Sequence, residues 1–195
     1  MRGITPSKGR PIEPSISNMG YVTTALPYKD REKTGHKGGA LASTSISIGP
    51  TGSVYVTCDS LPQGQGHKTI LSQIVADIFG IKINDVFVNT THDTHKDAWS
   101  IAAGNYSSRF AGAVAGSAFN AANNLKKKLQ KIAASQLNCK SENVLFDKEK
   151  VYDKKNSDNY LNFKRLVGIP HWSPGNLPEK LNPSWKETVF WGNEN

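Results

Sequence analysis

Ala42-Ser43-Thr44-Ser45-Ile46-Ser47-Ile48-Gly49-Pro50-Thr51-Gly52-Ser53-Val54-Tyr55-Val56-Thr57-Cys58 is the stretch that decides the fold. Ala42, Thr44, Ile46 and Ile48 fall on one face and Ser43, Ser45 and Ser47 on the other, a period of two that predicts a strand. Gly49-Pro50-Thr51-Gly52 has turn chemistry, because proline presets φ and glycine tolerates positive φ. Val54, Val56 and Cys58 then alternate with Tyr55 and Thr57, so the two runs predict a β-hairpin. Pro62-Gln63-Gly64-Gln65-Gly66 follows as a loop. From His67 to Phe79 the period changes to that of a helix, with Ile70, Ile74 and Ile78 four apart and Leu71 and Val75 beside them. Gly80 is placed to close that helix. Asp85–Asn89 predicts a short strand buried on both faces.

Further out the signals weaken. Residues 90–106 form a polar loop, long enough to suggest function. A long helix is expected from about Ser107 to Leu137, with Val114, Ala118, Ala121, Leu125, Leu129 and Ile132 on one face. Its first half is rich in small residues, which permit tight helix–sheet packing or close approach by a ligand. Val144–Phe146 and Lys150–Tyr152 predict a second hairpin, and Asn162–Val167 a short helix. The fold expected is α+β, a two-layer α/β arrangement with a mixed sheet. Residues 1–38 read as an irregular lead-in with an extended piece near Tyr21–Leu26, residues 39–168 as the α/β domain, and residues 169–195 as a Pro/Trp-rich tail. Trp172, Trp185, Phe190 and Trp191 in that tail are expected to cover another surface, in this chain or a partner.

Composition sets limits. The 195 residues suffice for one domain, and 37% hydrophobic with 21% charged residues fits a globular chain. A formal charge of +8 admits an anionic partner. However, the lysines are scattered apart from Lys126-Lys127-Lys128 and no aromatic-interleaved basic stripe accompanies them, so no nucleic-acid partner is expected. The two cysteines, Cys58 and Cys139, form no Cys-x-x-Cys pair, which argues against a zinc or iron–sulfur site here. No apolar run reaches the roughly 20 residues of a membrane span, and no apolar signal core opens the chain. A cytoplasmic, membrane-free protein is expected.

Two loops carry the candidate chemistry. Gln63-Gly64-Gln65-Gly66-His67 stands between a strand and a helix. Its glycines let backbone approach a ligand without a Cβ in the way. The helix start presents unpaired N–H groups and a dipole suited to phosphate, and Gln65 adds a carboxamide that can read a heterocycle edge. The bland alternative is a tight strand–helix turn. The loop lacks the Gly-Lys-Ser/Thr of a Walker A loop and the third glycine of a dinucleotide fingerprint. Gly104-Asn105-Tyr106-Ser107-Ser108-Arg109 repeats the arrangement. Ser107 or Ser108 can cap a helix. Arg109 sits where the dipole disfavours a cation, so it either forks a phosphate or pairs with Asp93 or Asp97.

Taken in order, Gly64-Gln65-Gly66-His67-Lys68-Thr69, Gln73-Ile74-Val75-Ala76-Asp77, Gly80-Ile81, Asp93-Thr94 and Tyr106-Ser107-Ser108-Arg109 resemble the molybdopterin-binding large subunit of the xanthine dehydrogenase/aldehyde oxidase/carbon monoxide dehydrogenase family. The resemblance covers about residues 12–190, including Pro170–Pro183. It implies a fold of the molybdenum-cofactor-binding-domain type and a cofactor-binding segment of an oxidoreductase. Gly64, Gln65 and Gly66, with His67 and Thr69 of the same motif, would meet the pterin or pyrophosphate. Asp93 and Thr94 would shape the facing loop, and Ser107, Ser108 and Arg109 would lie near the dinucleotide phosphates. The implied cofactor is a molybdopterin dinucleotide, in the cytosine form usual for the family, with its molybdenum shared with a partner chain. The implied partners are the remaining large-subunit segments and iron–sulfur and flavin subunits. The sequence also departs from the family: the substrate-pocket residues and the copper-linked cysteine motif of the carbon monoxide enzymes are missing, as is the catalytic acid–base group. The family's catalytic glutamate follows a glycine, and no Gly-Glu pair occurs here; Glu13, Glu32 and Glu142 stand in other contexts. No catalytic residue and no metal ligand is therefore expected from this chain, and activity would need another. A scaffold that keeps the fold without the cofactor is the alternative.

Overall fold

The structure is a computed structural model that describes residues 42–91, 95, 109–179 and 181–191. Strands β1 (Ser43–Ile48) and β2 (Val54–Cys58) form the expected antiparallel hairpin, with Ile46 opposite Val56 and Ile48 opposite Val54. The turn closes through Gly52 N–H donating to the Gly49 carbonyl at 3.0 Å, and Gly52 takes φ 92°. Helix α1 (His67–Phe79) follows, and Gly80 ends it in the left-handed region at φ 62°. Strand β3 (Val86–Asn89) then pairs in parallel with β2.

Two expectations are corrected here. The buried face of α1 is Leu71, Val75, Ile78 and Phe79, while Ile70 is exposed. Ile70, Ile74 and Ile78 are all four apart, but a spacing of four drifts by about 40° per step on a helix with 3.6 residues per turn, so the row slides off the core. Strand β3 is not buried on both faces. It is an edge strand of the first sheet, whose order is β3-β2-β1-β7, with β7 running Lys186–Phe190. Phe87 faces outward and stacks on the equally exposed Tyr55, ring centroids 5.5 Å apart.

The described part of the long helix begins with a π-helical turn, Phe110–Val114, and continues as α2 (Ala115–Leu137). Val114, Ala118, Ala121, Leu125, Leu129 and Ile132 are all buried, as their spacing predicts. Helix α2 packs against α1, against β1, and against a second sheet of β4 (Val144–Asp147), β5 (Lys150–Asp153) and β6 (Asn156–Asn162) in the order β4-β5-β6. Two of the three clustered lysines are engaged within the fold. Lys128 pairs with Glu187 at 2.9 Å, and Lys126 lies over the Phe146 ring at 5.2 Å. Gly80 is seated directly on the β4–β5 turn. Its carbonyl accepts the Glu149 N–H, and a Cβ there would stand 2.8 Å from the Phe146 carbonyl carbon and the Asp147 nitrogen.

The second half is more ordered than the sequence suggests. Helix α3 runs Phe163–Trp172, through Pro170, and Asn162 caps it by accepting the Lys164 N–H at 2.9 Å. Beyond it, β7 (Lys186–Phe190) pairs antiparallel with β1. Trp185 is buried, its Nε1–H donating to the Val167 carbonyl at 2.8 Å. Trp191 lies over Gly116, where a Cβ would stand 2.2 Å from the ring. Gly116, one of the small residues of the long helix, thus makes room for an indole of this same chain. Trp172 stays 74% exposed. The lead-in, with Tyr21–Leu26, lies outside the described residues, as does most of the 90–106 stretch expected to form a polar loop. Among the described residues, no helix is long and apolar enough to cross a membrane.

Candidate functional site

The glycine loop emerges where β2 ends. Gly64 and Gly66 take φ 99° and 75°, values at which an L side chain is strained. No described atom lies within 4 Å of where a Cβ at either would stand. These glycines are therefore required by the backbone and leave open space in front of it. Gly66 is the residue before α1, and no side chain caps that helix. The first-turn N–H groups thus face the same open side, with Lys68 and Thr69 exposed around them. The Gln65 side-chain oxygen accepts the Gln63 N–H at 2.6 Å, which folds the loop on itself and leaves the carboxamide NH2 as a donor.

His67, the first residue of α1, turns inward. Its ring lies 3.8 Å from the Phe110 ring and within 3° of parallel, so the start of α1 rests on the first described turn of the long helix. Neither ring nitrogen has a hydrogen-bond partner among the described residues. Burial lowers the pKa of His67 below its usual 6.5, and the nearby Ser60 backbone opposes this more weakly. The fold thus favours the neutral imidazole. Because the unfolded chain takes up its proton first, His67 contributes stability above about pH 6.5, and this is lost as pH falls through the depressed folded value. The acid limb of a urea-midpoint profile below pH 6.5 is expected to flatten in His67→Phe, which keeps the ring stack. An unchanged acid limb would show that His67 does not titrate on unfolding.

Arg109 also turns inward. Its Nη2 lies 3.5 Å from Asp59 Oδ2, with both side chains fully buried. The same carboxylate oxygen accepts the Ser43 N–H at 2.8 Å. Of the partners weighed from sequence, Asp93 and Asp97 lie outside the described residues; among the described residues Arg109 pairs with Asp59. Asp93, Thr94, Ser107 and Ser108 are likewise outside the described residues. Gly64, Gln65, Gly66, His67, Thr69 and Arg109 are brought to one end of the α1–α2 layer. Asp59 and Phe110 belong to this group and went unnoticed in the sequence. A carboxylate directly after an apolar strand was the available signal for Asp59.

Cys58, just before Asp59, is buried, and that burial pushes its thiol up to about 11, so it stays protonated at neutral pH. An open cleft of about 950 Å3 lies at the far end of α1, lined by residues including Asp77, Lys82, Phe146 and Glu149. Its Lys82 and Glu149 are already paired at 2.9 Å, and it gathers no uncapped backbone donors of α1.

Residues 12–194 match the molybdopterin cofactor-binding domain family. The chain belongs to that family. Relatives of this cofactor-binding domain include the carbon monoxide dehydrogenase large chain of Afipia carboxidovorans, 29% identical over 149 residues, and the nicotine 6-hydroxylase large subunit of Paenarthrobacter nicotinovorans, 26% identical over 149. Each alignment covers 76% of this chain and 18% of the relative. The domain thus corresponds to a segment of a molybdenum hydroxylase large subunit, spanning under a fifth of those relatives' length. Its fold is also that of quinoline 2-oxidoreductase from Pseudomonas putida 86, with a TM-score of 0.72 at 24% identity over 86% of this chain and 21% of that one.

Proposed function

We propose that this domain grips the dinucleotide side of a molybdopterin cofactor within a molybdenum-dependent oxidoreductase. The observation that carries the reading is the pair Gly64 and Gly66, held at positive φ with open space before them, beside an uncapped helix start. That arrangement fits a bulky anion whose phosphates need backbone N–H donors. Gly64, Gln65, Gly66 and Thr69 would hold the pterin or pyrophosphate. Asp93, Thr94, Ser107 and Ser108 would form the facing side, in the family's usual cytosine form of the nucleotide. When bound, the molybdenum–pterin group supplies the redox chemistry. These residues orient the group, and the catalytic glutamate and substrate pocket come from outside them. Residues 39–168 would form the cofactor-binding unit, whose first sheet takes up β7 of the tail. Iron–sulfur and flavin subunits complete the enzyme in a reducing, cytoplasmic setting.

One observation favours the scaffold reading instead. Arg109 is fully buried and, among the described residues, pairs with Asp59. A single test separates the two readings. In Gly66→Val, purified with whatever subunits accompany it, the pterin content is expected to fall roughly ten- to hundredfold. That is the effect of losing one charge-assisted backbone contact worth about 1.5–3 kcal/mol. A Cβ at Gly66 meets no described atom, so the substitution strains the loop backbone without crowding the core. Full pterin content in this variant, or none in the unaltered protein, would leave the scaffold reading standing.

A further inference from the structure

The glycine loop, residues 60–66, is bracketed by Asp59 and His67. Both brackets are held by consecutive residues of the long helix. Arg109 pairs with Asp59 at 3.5 Å, and Phe110 stacks on His67 at 3.8 Å. All four side chains are buried, Phe110 at 7% exposure being the least so. The two contacts differ in kind, one ionic and one between flat rings, yet they converge on one turn. That turn opens the π-helical stretch Phe110–Val114, a rare geometry that tends to occur where function constrains a helix. Asp59 also holds the Ser43 N–H, so the near end of the loop is tied to β1 as well. Between the brackets Ser60 is buried, whereas residues 61–66 are exposed.

We infer that Asp59–Arg109 and His67–Phe110 act as a double clamp that sets the shape of the glycine loop before any ligand arrives. The four are positioning residues, and Arg109 acts through Asp59. This rests on the reading that the loop receives a phosphate-bearing cofactor, where a preformed loop binds with less ordering cost. The clamp also makes the loop report on the first described turn of the long helix, since moving that turn releases both brackets at once.

Hydrogen exchange on the full chain, without cofactor, tests the clamp. In His67→Ala and in Asp59→Asn, amides of residues 60–66 are expected to exchange at least about tenfold faster, while β4–β6 keep their protection. His67→Phe is expected to restore the slow loop, because it rebuilds the stack. Should His67→Ala unfold, which β4–β6 would reveal, His67→Leu keeps the bulk without the stack and takes its place. Wild-type exchange in the loop of both Asp59→Asn and the His67 variant would overturn the clamp. Pyrophosphate titration of the same proteins is the second arm. Weaker binding in the clamp variants, recovered in His67→Phe, is expected. If even the unaltered chain ignores pyrophosphate, the phosphate reading fails while the exchange result still decides the clamp.

Discussion

Gly80→Ala is expected to lower the unfolding free energy by roughly 2–5 kcal/mol. About 1–2 kcal/mol comes from holding a non-glycine residue in the left-handed region, and about 1–3 kcal/mol from forcing a methyl into an occupied space. Both terms apply because Gly80 does two jobs. At φ 62° it ends α1, its N–H returning to the Ala76 and Asp77 carbonyls. It also lets the second sheet touch down on the helix end, where the neighbours of a new Cβ are backbone atoms of Phe146 and Asp147. Backbone cannot swing aside as a side chain can. Urea denaturation of Gly80→Ala and of Gly175→Ala would measure it. Gly175 is exposed with nothing within 4 Å of its would-be Cβ, so its variant should unfold near the wild-type midpoint. Equal midpoints for the two variants would mean that the close crossing has no energetic weight.

Trp185→Ala should cost about 3–5 kcal/mol, the range for deleting a large buried aromatic. The indole sits in the main core at 5% exposure and donates to the Val167 carbonyl. Its own carbonyl accepts the Ile48 N–H at 2.9 Å, so the residue fastens α3 and the end of β1 together. Trp185→Phe separates the parts. It keeps most of the ring but leaves the Val167 carbonyl without this donor, an effect of about 1–3 kcal/mol. A denaturation series ordered wild type, Phe, Ala is expected. If the Phe variant matched wild type, the hydrogen bond would carry no weight. If Ala did as well, the tail would not be part of the cooperative unit.

The elements that were legible in the sequence share a physical cause: each carries an apolar face at a regular spacing within a short stretch of chain. The β1–β2 hairpin alternates strictly, and the core face of the long helix recurs at helical spacing from Val114 to Ile132. Strand β6 was not legible, because Asn156-Ser157-Asp158-Asn159-Tyr160-Leu161-Asn162 is mostly exposed and its partner β5 supplies the register. Strand β7 was hidden for another reason. A proline-rich approach suggests loop, and only Val189 of its five residues is buried. The site divides along the same line. The glycine loop announces itself through φ requirements that act within a few residues. The Asp59–Arg109 pair is made by residues far apart in sequence, and no local pattern encodes it. The resemblance to the cofactor-binding family reached further than periodicity did, since ordered motifs carry information that no single helix or strand holds.

The pairing of β1 with β7 fixes an order of events during synthesis. The Ser45 and Thr188 hydroxyls meet at 2.6 Å across a sequence separation of 143. A contact of such separation closes late, because a long loop must be drawn shut before the contact returns anything. While the ribosome is still making the tail, β2 already has the means to pair with β1, but the other edge of β1 has no strand to meet. That edge is a template for foreign strands, so the interval before residue 190 emerges is when this domain is most exposed to mispairing.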